Sequence, residues 1–358
     1  MKSAKLKSIT AAVIAAAGIS VVSITADACS RILVDTDHGQ SVVRTLDWAQ
    51  KLGTVAKVYP VGAERQSLAA PEYKKAATWT VKHQTVILQE HDVFHGTGAE
   101  AINDKGLSSS MLYMSPSAEF LDDYEDKGVP TVHMVDIVAY FAENFATVRE
   151  AKKALEADEF QLGWNADLNG SGKHGLHVSV QDKSGEVMLI QLNKGGRVVI
   201  HFGRDDLKVM ANAPLQQDHR KYVSQYDFSK IETADLLNTS ISSKDRNARL
   251  LWTTQNQKGW EGLTWAQTEG KLQSTFDAAA LVPQDVTDAA TGDTYATWIQ
   301  YVYNYENGSV KLRNLDTYSD IRFNMKDIAG FDKPICADLA DQANNGKVTA
   351  EWSECKID

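Results

Sequence analysis

The sequence predicts an α+β fold of stacked sheets with helices outside, and three observations predict it. Strand-like segments, β-branched or alternating, crowd the first third of the chain. Segments of helical period then interrupt them before strands return. Blocks of strands separated by blocks of helices differ from the regular alternation of a doubly wound parallel sheet.

The chain opens on a leader. Lys2, Lys5 and Lys7 precede an apolar run from Ile9 to Ile24, and Ala26 and Ala28 flank Asp27 as in an A-x-A cleavage site. Gly18, Ser20 and Ser23 interrupt the run, which favours a removed leader over a membrane anchor. We expect a secretory signal peptide over residues 1–28, cut after Ala28, and one domain over residues 29–358 in the periplasm or outside the cell. No stable membrane insertion is expected after the cut.

The elements follow in order. Ser30 to Val34 and Ser41 to Trp48 read as strands joined by Asp35-Thr36-Asp37-His38-Gly39. Val55 to Tyr59, Thr78 to Glu90 and Leu107 to Met114 read likewise. Met134, Ile137, Val138, Phe141 and Phe145 recur at helical spacing, and Thr147-Val148-Arg149-Glu150 resembles a capping box opening a helix to Ala157. Strands return at Leu176 to Val180, Val187 to Leu192 and Val198 to Phe202, with turns at Lys183-Ser184-Gly185 and Lys194-Gly195-Gly196. Helices are expected at Gln217 to Tyr226 and Arg246 to Gln255. A late hairpin pairs Tyr295 to Tyr305 with Val310 to Asn314 across Glu306-Asn307-Gly308.

Composition narrows the partners. The formal net charge is −10 and no basic run occurs, which argues against nucleic acid. No Gly-rich phosphate loop, H-E-x-x-H or G-x-S-x-G is present, so no cofactor is expected. His91 and His95 have helical ligand spacing, but the local pattern is not clearly helical and no third ligand is obvious; no metal is expected.

The three cysteines carry the chemistry. Cys336 and Cys355 bracket a short polar tail and are placed to pair in an oxidising compartment. That leaves Cys29, the residue directly after the cleavage site, as the odd thiol. Three reduced cysteines, or a pairing that uses Cys29, are the alternatives. If the leader is cut after Ala28, Cys29 carries both a nucleophilic thiol and a free α-amine able to act as its base. Lipidation is the competing fate, but Ala26 and Asp27 fit a lipobox poorly.

Cys29-Ser30-Arg31 followed by Arg44-Thr45-Leu46-Asp47-Trp48 resembles the start of the choloylglycine hydrolase and penicillin V acylase family, Gram-negative-type branch. Ala101-Ile102-Asn103-Asp104-Lys105-Gly106-Leu107 is similar to the family's G-x-N-E-K-G-L segment, and Thr147 to Ala154 to its V-x-E-A helix. Leu176-His177 with Asp182-Lys183-Ser184-Gly185 resembles its L-H…D-x-x-G strand and turn. Val209 to Pro214 resembles the T-N-x-P segment with Ala211 for Thr, and Asp245 to Arg249 the D-R-F-x-R segment with Asn247 for Phe.

The resemblance implies a four-layer αββα N-terminal-nucleophile hydrolase sandwich of two mainly antiparallel sheets. It implies a linear amide hydrolase acting through a thioester, on phenoxyacetyl penicillins, N-acyl homoserine lactones or conjugated bile acids, in that order. A non-catalytic exported binding protein or lipoprotein of the same fold is the rival. It also implies a homo-oligomer, a tetramer by family habit. An α-amine titrates near ~8 and a thiol near ~8.5, so modest tuning suits general-base catalysis. Arg44 is expected to lower the Cys29 thiol pKa and Asp47 to accept hydrogen bonds from the α-amine. Their spacing of three is not one strand face, so a bend or bulge is required. Asn212 is the expected oxyanion donor and Arg246 a stabiliser of the charged intermediate. Tyr113 stands where bile-salt-hydrolase-like members carry a second Asn, which fits the acylase branch better. Trp48, Trp79, Trp164 and Trp298 are candidates for an acyl-pocket wall, Trp48 foremost.

Overall fold

A computed structural model describes residues 29–70, 72–164, 173–289 and 291–356. The leader and its cleavage position lie outside the described residues. The chain begins with strands β1 (Ser30–Thr36), β2 (Gly39–Trp48) and β3 (Val55–Val58), then a small hairpin of β4 (Glu64–Gln66) and β5 (Thr78–Thr80). β6 (Thr85–Glu90), β7 (Thr97–Asn103), β8 (Leu107–Tyr113) and β9 (Thr131–His133) precede helices α1 (Ile137–Asn144) and α2 (Val148–Glu156). Next come β10 (Gln161–Gly163), β11 (Leu176–Asp182), β12 (Val187–Asn193), β13 (Arg197–Phe202) and β14 (Val209–Ala211). Helices α3 (Gln216–Val223), α4 (Ser243–Asn256) and α5 (Trp265–Ala280) lead to β15 (Ala296–Asn304), β16 (Ser309–Asn314) and β17 (Ser319–Asn324). β18 (Ile335–Asp338), α6 (Leu339–Asn344) and β19 (Ser353–Glu354) close the described chain.

Two large antiparallel sheets organise these elements. One has six strands in the order β14-β1-β2-β15-β16-β17, the other nine in the order β13-β12-β11-β8-β7-β6-β3-β18-β19. Side-chain alternation along the strands then divides the core into three layers. Leu33, Val42, Leu46, Ile102, Leu112, Ile299 and Tyr301 pack between the sheets. Ala101, Leu107, Val178 and Val180 point the other way, onto Val138 and Phe141 of α1 and Val148 and Ala151 of α2. Ile32, Val43 and Val302 pack on Leu250 of α4 and on Leu272 and Phe276 of α5. The result is helix, sheet, sheet, helix. Each fully buried large apolar side chain in these layers contributes about 1.5–3 kcal/mol, which sets the scale against which buried polar groups must be held.

Several expected elements are found, and the differences have local causes. The capping box at Thr147 is made in both directions with Glu150. The turn after β12 uses Gly195 and Gly196 at positive φ, and a Cβ on Gly196 would stand 2.0 Å from the Asp123 carbonyl oxygen, so only glycine fits there. Thr78 to Glu90 is not one strand. It breaks after Thr80, where the amides of Lys82 and His83 donate to the Glu143 carbonyl at 2.9 and 3.1 Å, and resumes at Thr85. The helix expected from Met134 starts at Ile137, after a 3-10 turn over Met134–Asp136. β7 and α5 were not expected. β7 is buried on both faces and therefore does not alternate, and α5 carries Gly270 and a mostly polar exposed side behind a Thr264/Gln267 capping box. Cys336 on β18 and Cys355 beyond β19 are joined by a disulfide, and Cys29 is a free, buried thiol.

Candidate active site

Strand register brings the candidate residues to one end of β1. Cys29 directly precedes β1, whose Arg31 lies opposite Arg44 of β2. On its other side Ser30 lies opposite Ala211 of β14, so the next step of the ladder sets Cys29 beside Asn212. Arg44 and Asp47 both come to the same cavity as Cys29, together with Leu46, Trp48, Leu52, Glu90, Phe94, Met111, Tyr113, Met134 and Leu176. No bulge interrupts β2, which pairs residue by residue from Ser41 to Trp48; the register shift lies on β15, between Thr297 and Ile299, so Arg44 faces Glu100 of the other sheet while Asp47 faces Arg246 of α4.

Cys29 is 8% exposed, and its sulfur lies 3.8 Å from the Asp47 carbonyl oxygen. Burial pushes its thiol pKa up, and the Asp47 carboxylate adds to this; Arg44 and Arg246 pull it down. The net direction is upward. The expected lowering by Arg44 is thus present but outweighed by desolvation. The guanidinium is also largely engaged elsewhere. Its Nη1 donates to Glu100 Oε2 at 2.8 Å and to the Ala99 carbonyl, and its Nη2 to the Met111 carbonyl at 2.5 Å.

Asp47 is 1% exposed, and burial raises its carboxyl pKa to about 6 against the pull of Arg246. Its Oδ2 lies 3.3 Å from Arg246 Nη1, whereas its Oδ1 is buried without a hydrogen-bond partner. Arg246, in the first turn of α4, also donates to the Ser30 hydroxyl and, through Nε, to the Ile241 carbonyl at 2.8 Å. Asn212 is fully buried, and neither its Oδ1 nor its Nδ2 has a partner. Both groups sit beside Cys29 with capacity unspent, which is costly in a folded interior unless something occupies it. Asn212 and Arg246 do not line the cavity wall. Neighbouring Asn247, which stands where the family segment has Phe, is buried with its Nδ2 unpaired.

The cavity wall is apolar. Trp48 meets Phe94 edge-on at 4.8 Å between ring centroids and Tyr113 at 5.5 Å. Of the four tryptophan candidates only Trp48 belongs to it. Trp79 donates to Glu143, and Trp164 is packed under α1 and α2. Trp298 donates to the Trp48 carbonyl at 2.9 Å and so steadies the strand end. Two neighbours carried no signal in the sequence. His219, its pKa lowered by burial to about 4, donates from Nε2 to the Asn212 carbonyl at 3.4 Å, and Glu100 holds Arg44 from the other sheet. Among the described residues no group of three His, Cys, Asp or Glu side chains is placed to hold a metal ion.

Comparison with known proteins agrees with this geometry. Residues 29–265 match the family of linear amide C–N hydrolases, choloylglycine hydrolase family. A penicillin V acylase of Pectobacterium atrosepticum is 28% identical over 192 residues, 52% of this chain and 50% of that protein. The matched stretch thus spans about half of the curated relative's length. The structure of penicillin V acylase from Agrobacterium tumefaciens superposes with a TM-score of 0.74 at 22% identity, over 92% of this chain and 98% of that one. A mutant of the conjugated bile acid hydrolase from Clostridium perfringens gives 0.68 at 13% identity, over 92% and 97%. The chain therefore belongs to the choloylglycine hydrolase family, and its paired sheets between helical layers are the N-terminal-nucleophile hydrolase sandwich.

Proposed function

We propose that this protein is a periplasmic or secreted N-terminal-cysteine amidohydrolase, of the penicillin V acylase or N-acyl homoserine lactone acylase kind. One observation carries the reading. The free thiol of Cys29 lies in an apolar cavity that Asp47 also lines, and the next step of the strand ladder brings it beside Asn212, whose buried carboxamide has no partner. Cutting the bond before Cys29 frees an α-amine that the open Asp47 oxygen orients. The amine takes the thiol proton and the sulfur attacks the amide carbonyl. The resulting oxyanion takes the Asn212 amide, and Arg246 holds the network through Ser30 and Asp47. As the C–N bond breaks, the proton goes to the leaving amine. Water then hydrolyses the thioester, releasing the acid and restoring the thiol. Every step is carried by the chain's own residues and water.

Trp48, Phe94 and Tyr113 form a wall suited to a planar or apolar acyl group. Tyr113 in place of a second carboxamide favours the acylase substrates over conjugated bile salts. Export accords with the Cys336–Cys355 disulfide. We further propose a homo-oligomer. The test is Cys29→Ala against a panel of phenoxyacetyl, acyl-homoserine-lactone and bile-acid amides, with thiol alkylation of the unmutated protein alongside. Turnover is expected to vanish in both cases while the fold persists. Hydrolysis that continues without the thiol refutes the nucleophile, and no turnover of any amide by the cut chain favours the binding-protein rival.

A further inference from the structure

The layer between the two sheets is less oily than a sandwich interior normally is. Arg31, Arg44, Glu100, Ser108, Ser110, Ser179 and Gln181 are all buried there, and they form one hydrogen-bonded chain. Arg31 donates to Ser179 at 2.6 Å, Ser179 to Gln181 at 2.8 Å, and Gln181 to Ser108 and Ser110 at 2.7 and 2.9 Å. Ser110 donates to Glu100 Oε1 at 2.8 Å, as does Tyr303 at 2.5 Å. The chain ends on Arg44, whose Nη1 is 2.8 Å from Glu100 Oε2. This ion pair joins β7 of one sheet to β2 of the other, and both side chains are essentially inaccessible to water.

We propose that Glu100 is a positioning residue for the nucleophile: it holds Arg44 across the sheet interface and cancels its charge, governing how much of that charge reaches Cys29. The proposal rests on Cys29 being the nucleophile. Arg44 itself has been placed beside the thiol; its Nη1 and Nη2 donate to Glu100, Ala99 and Met111 while its Nε has no partner, and with no donor bonded to the sulfur it acts there through its charge. A buried anion paired with it weakens that action, and adds its own repulsion of a thiolate. The charges facing the thiol are Arg44 and Asp47 of β2 and Arg246 of α4, with Glu90 of β6 on the cavity wall. Glu90 spends its carboxylate on the amides of Asp92, Val93 and Phe94. Facing Glu100 are Arg44, Arg31 of β1, and Tyr303 and Tyr305. Tyr301 of β15 and His177 of β11 face Arg44, and burial keeps the histidine neutral.

The test compares mature wild-type protein with Glu100→Gln. The readout is the pH dependence of Cys29 labelling by iodoacetamide, followed by mass spectrometry of its peptide, beside the pH profile of kcat/KM. Removing the anion leaves Arg44 uncompensated, so the labelling midpoint and the acid limb are expected to move to lower pH by about half a unit or more, with KM little changed. A folded Glu100→Gln protein with an unmoved midpoint overturns the proposal. Tyr303→Phe serves as the second variant, because it removes one donor from Glu100 and leaves Arg44 in place. A smaller movement in the opposite direction, to higher pH, is expected, because the anion loses a donor that screens it; if Glu100→Gln does not fold, an unmoved midpoint in Tyr303→Phe overturns the proposal instead. Turnover that survives Cys29→Ala refutes the nucleophile, whereas the labelling profile still decides the part played by Glu100.

Discussion

Asp47→Asn should have different consequences for stability when Cys29 is preceded by Ala28 and when Cys29 is the first residue. Before the cut the Cys29 nitrogen is an amide, and the buried carboxylate has a pKa raised by desolvation from 3.8 to about 6. A carboxyl whose folded pKa is raised contributes its full stability while protonated, below its unfolded value, and loses it as pH climbs through the folded one. The interval from 3.8 to about 6, at about 1.36 kcal/mol per pH unit, is roughly 3 kcal/mol. Asn is the protonated form made permanent. The stability of Asp47→Asn relative to wild type is therefore expected to rise by roughly 3 kcal/mol between about pH 3 and pH 7. Urea unfolding of both proteins across that range, with Ala28 retained ahead of Cys29, measures it. With Cys29 as the first residue, a positive α-ammonium beside the open Oδ1 favours the carboxylate, so the rise should shrink or reverse. A pH-independent difference in the uncut chain, or the same rise in both forms, refutes the reasoning.

Two further outcomes follow from single groups. Asn212→Ala should lower kcat by about 10²–10³ with little change in KM, because its amide is aimed at nothing in the resting protein. Steady-state kinetics beside a thermal melt separate this from unfolding, and a KM effect alone would count against the oxyanion assignment. Cys355→Ser should cost about 3 kcal/mol, since the disulfide closes a loop with a sequence separation of 19, and dithiothreitol should bring the wild type to the same urea midpoint. A wild type indifferent to reductant would mean that the tail is held by β18 and α6 without it.

The proposed nucleophile was legible in the sequence because the expected cleavage motif and an odd cysteine coincide at one residue, and both are local signals. Arg44, Asp47 and Trp48 were legible through one short segment and Tyr113 through the family resemblance, and all four line one cavity with Cys29. What escaped was set by pairing between distant strands. Glu100 lies on β7, a strand of Thr, Gly, Ala, Glu, Ile and Asn buried on both faces, so neither propensity nor alternation marked it. His219 matters only because α3 folds back to meet the Asn212 carbonyl. Trp164 was left open for the converse reason: a large aromatic suits a pocket and a core, and only the packing with α1 and α2 decides for the core. Arg44 does pull the thiol pKa down, as expected, but the net sign of the shift was beyond the sequence in the same way. A neighbouring Arg in the sequence argues for a lowered pKa, but desolvation is a property of the closed sandwich, and here it is the larger effect. Chemistry was readable wherever residues near in sequence had to act together. It was unreadable where the second sheet supplies the partner, and Glu100 against Arg44 is the case where that gap bears on the reaction itself.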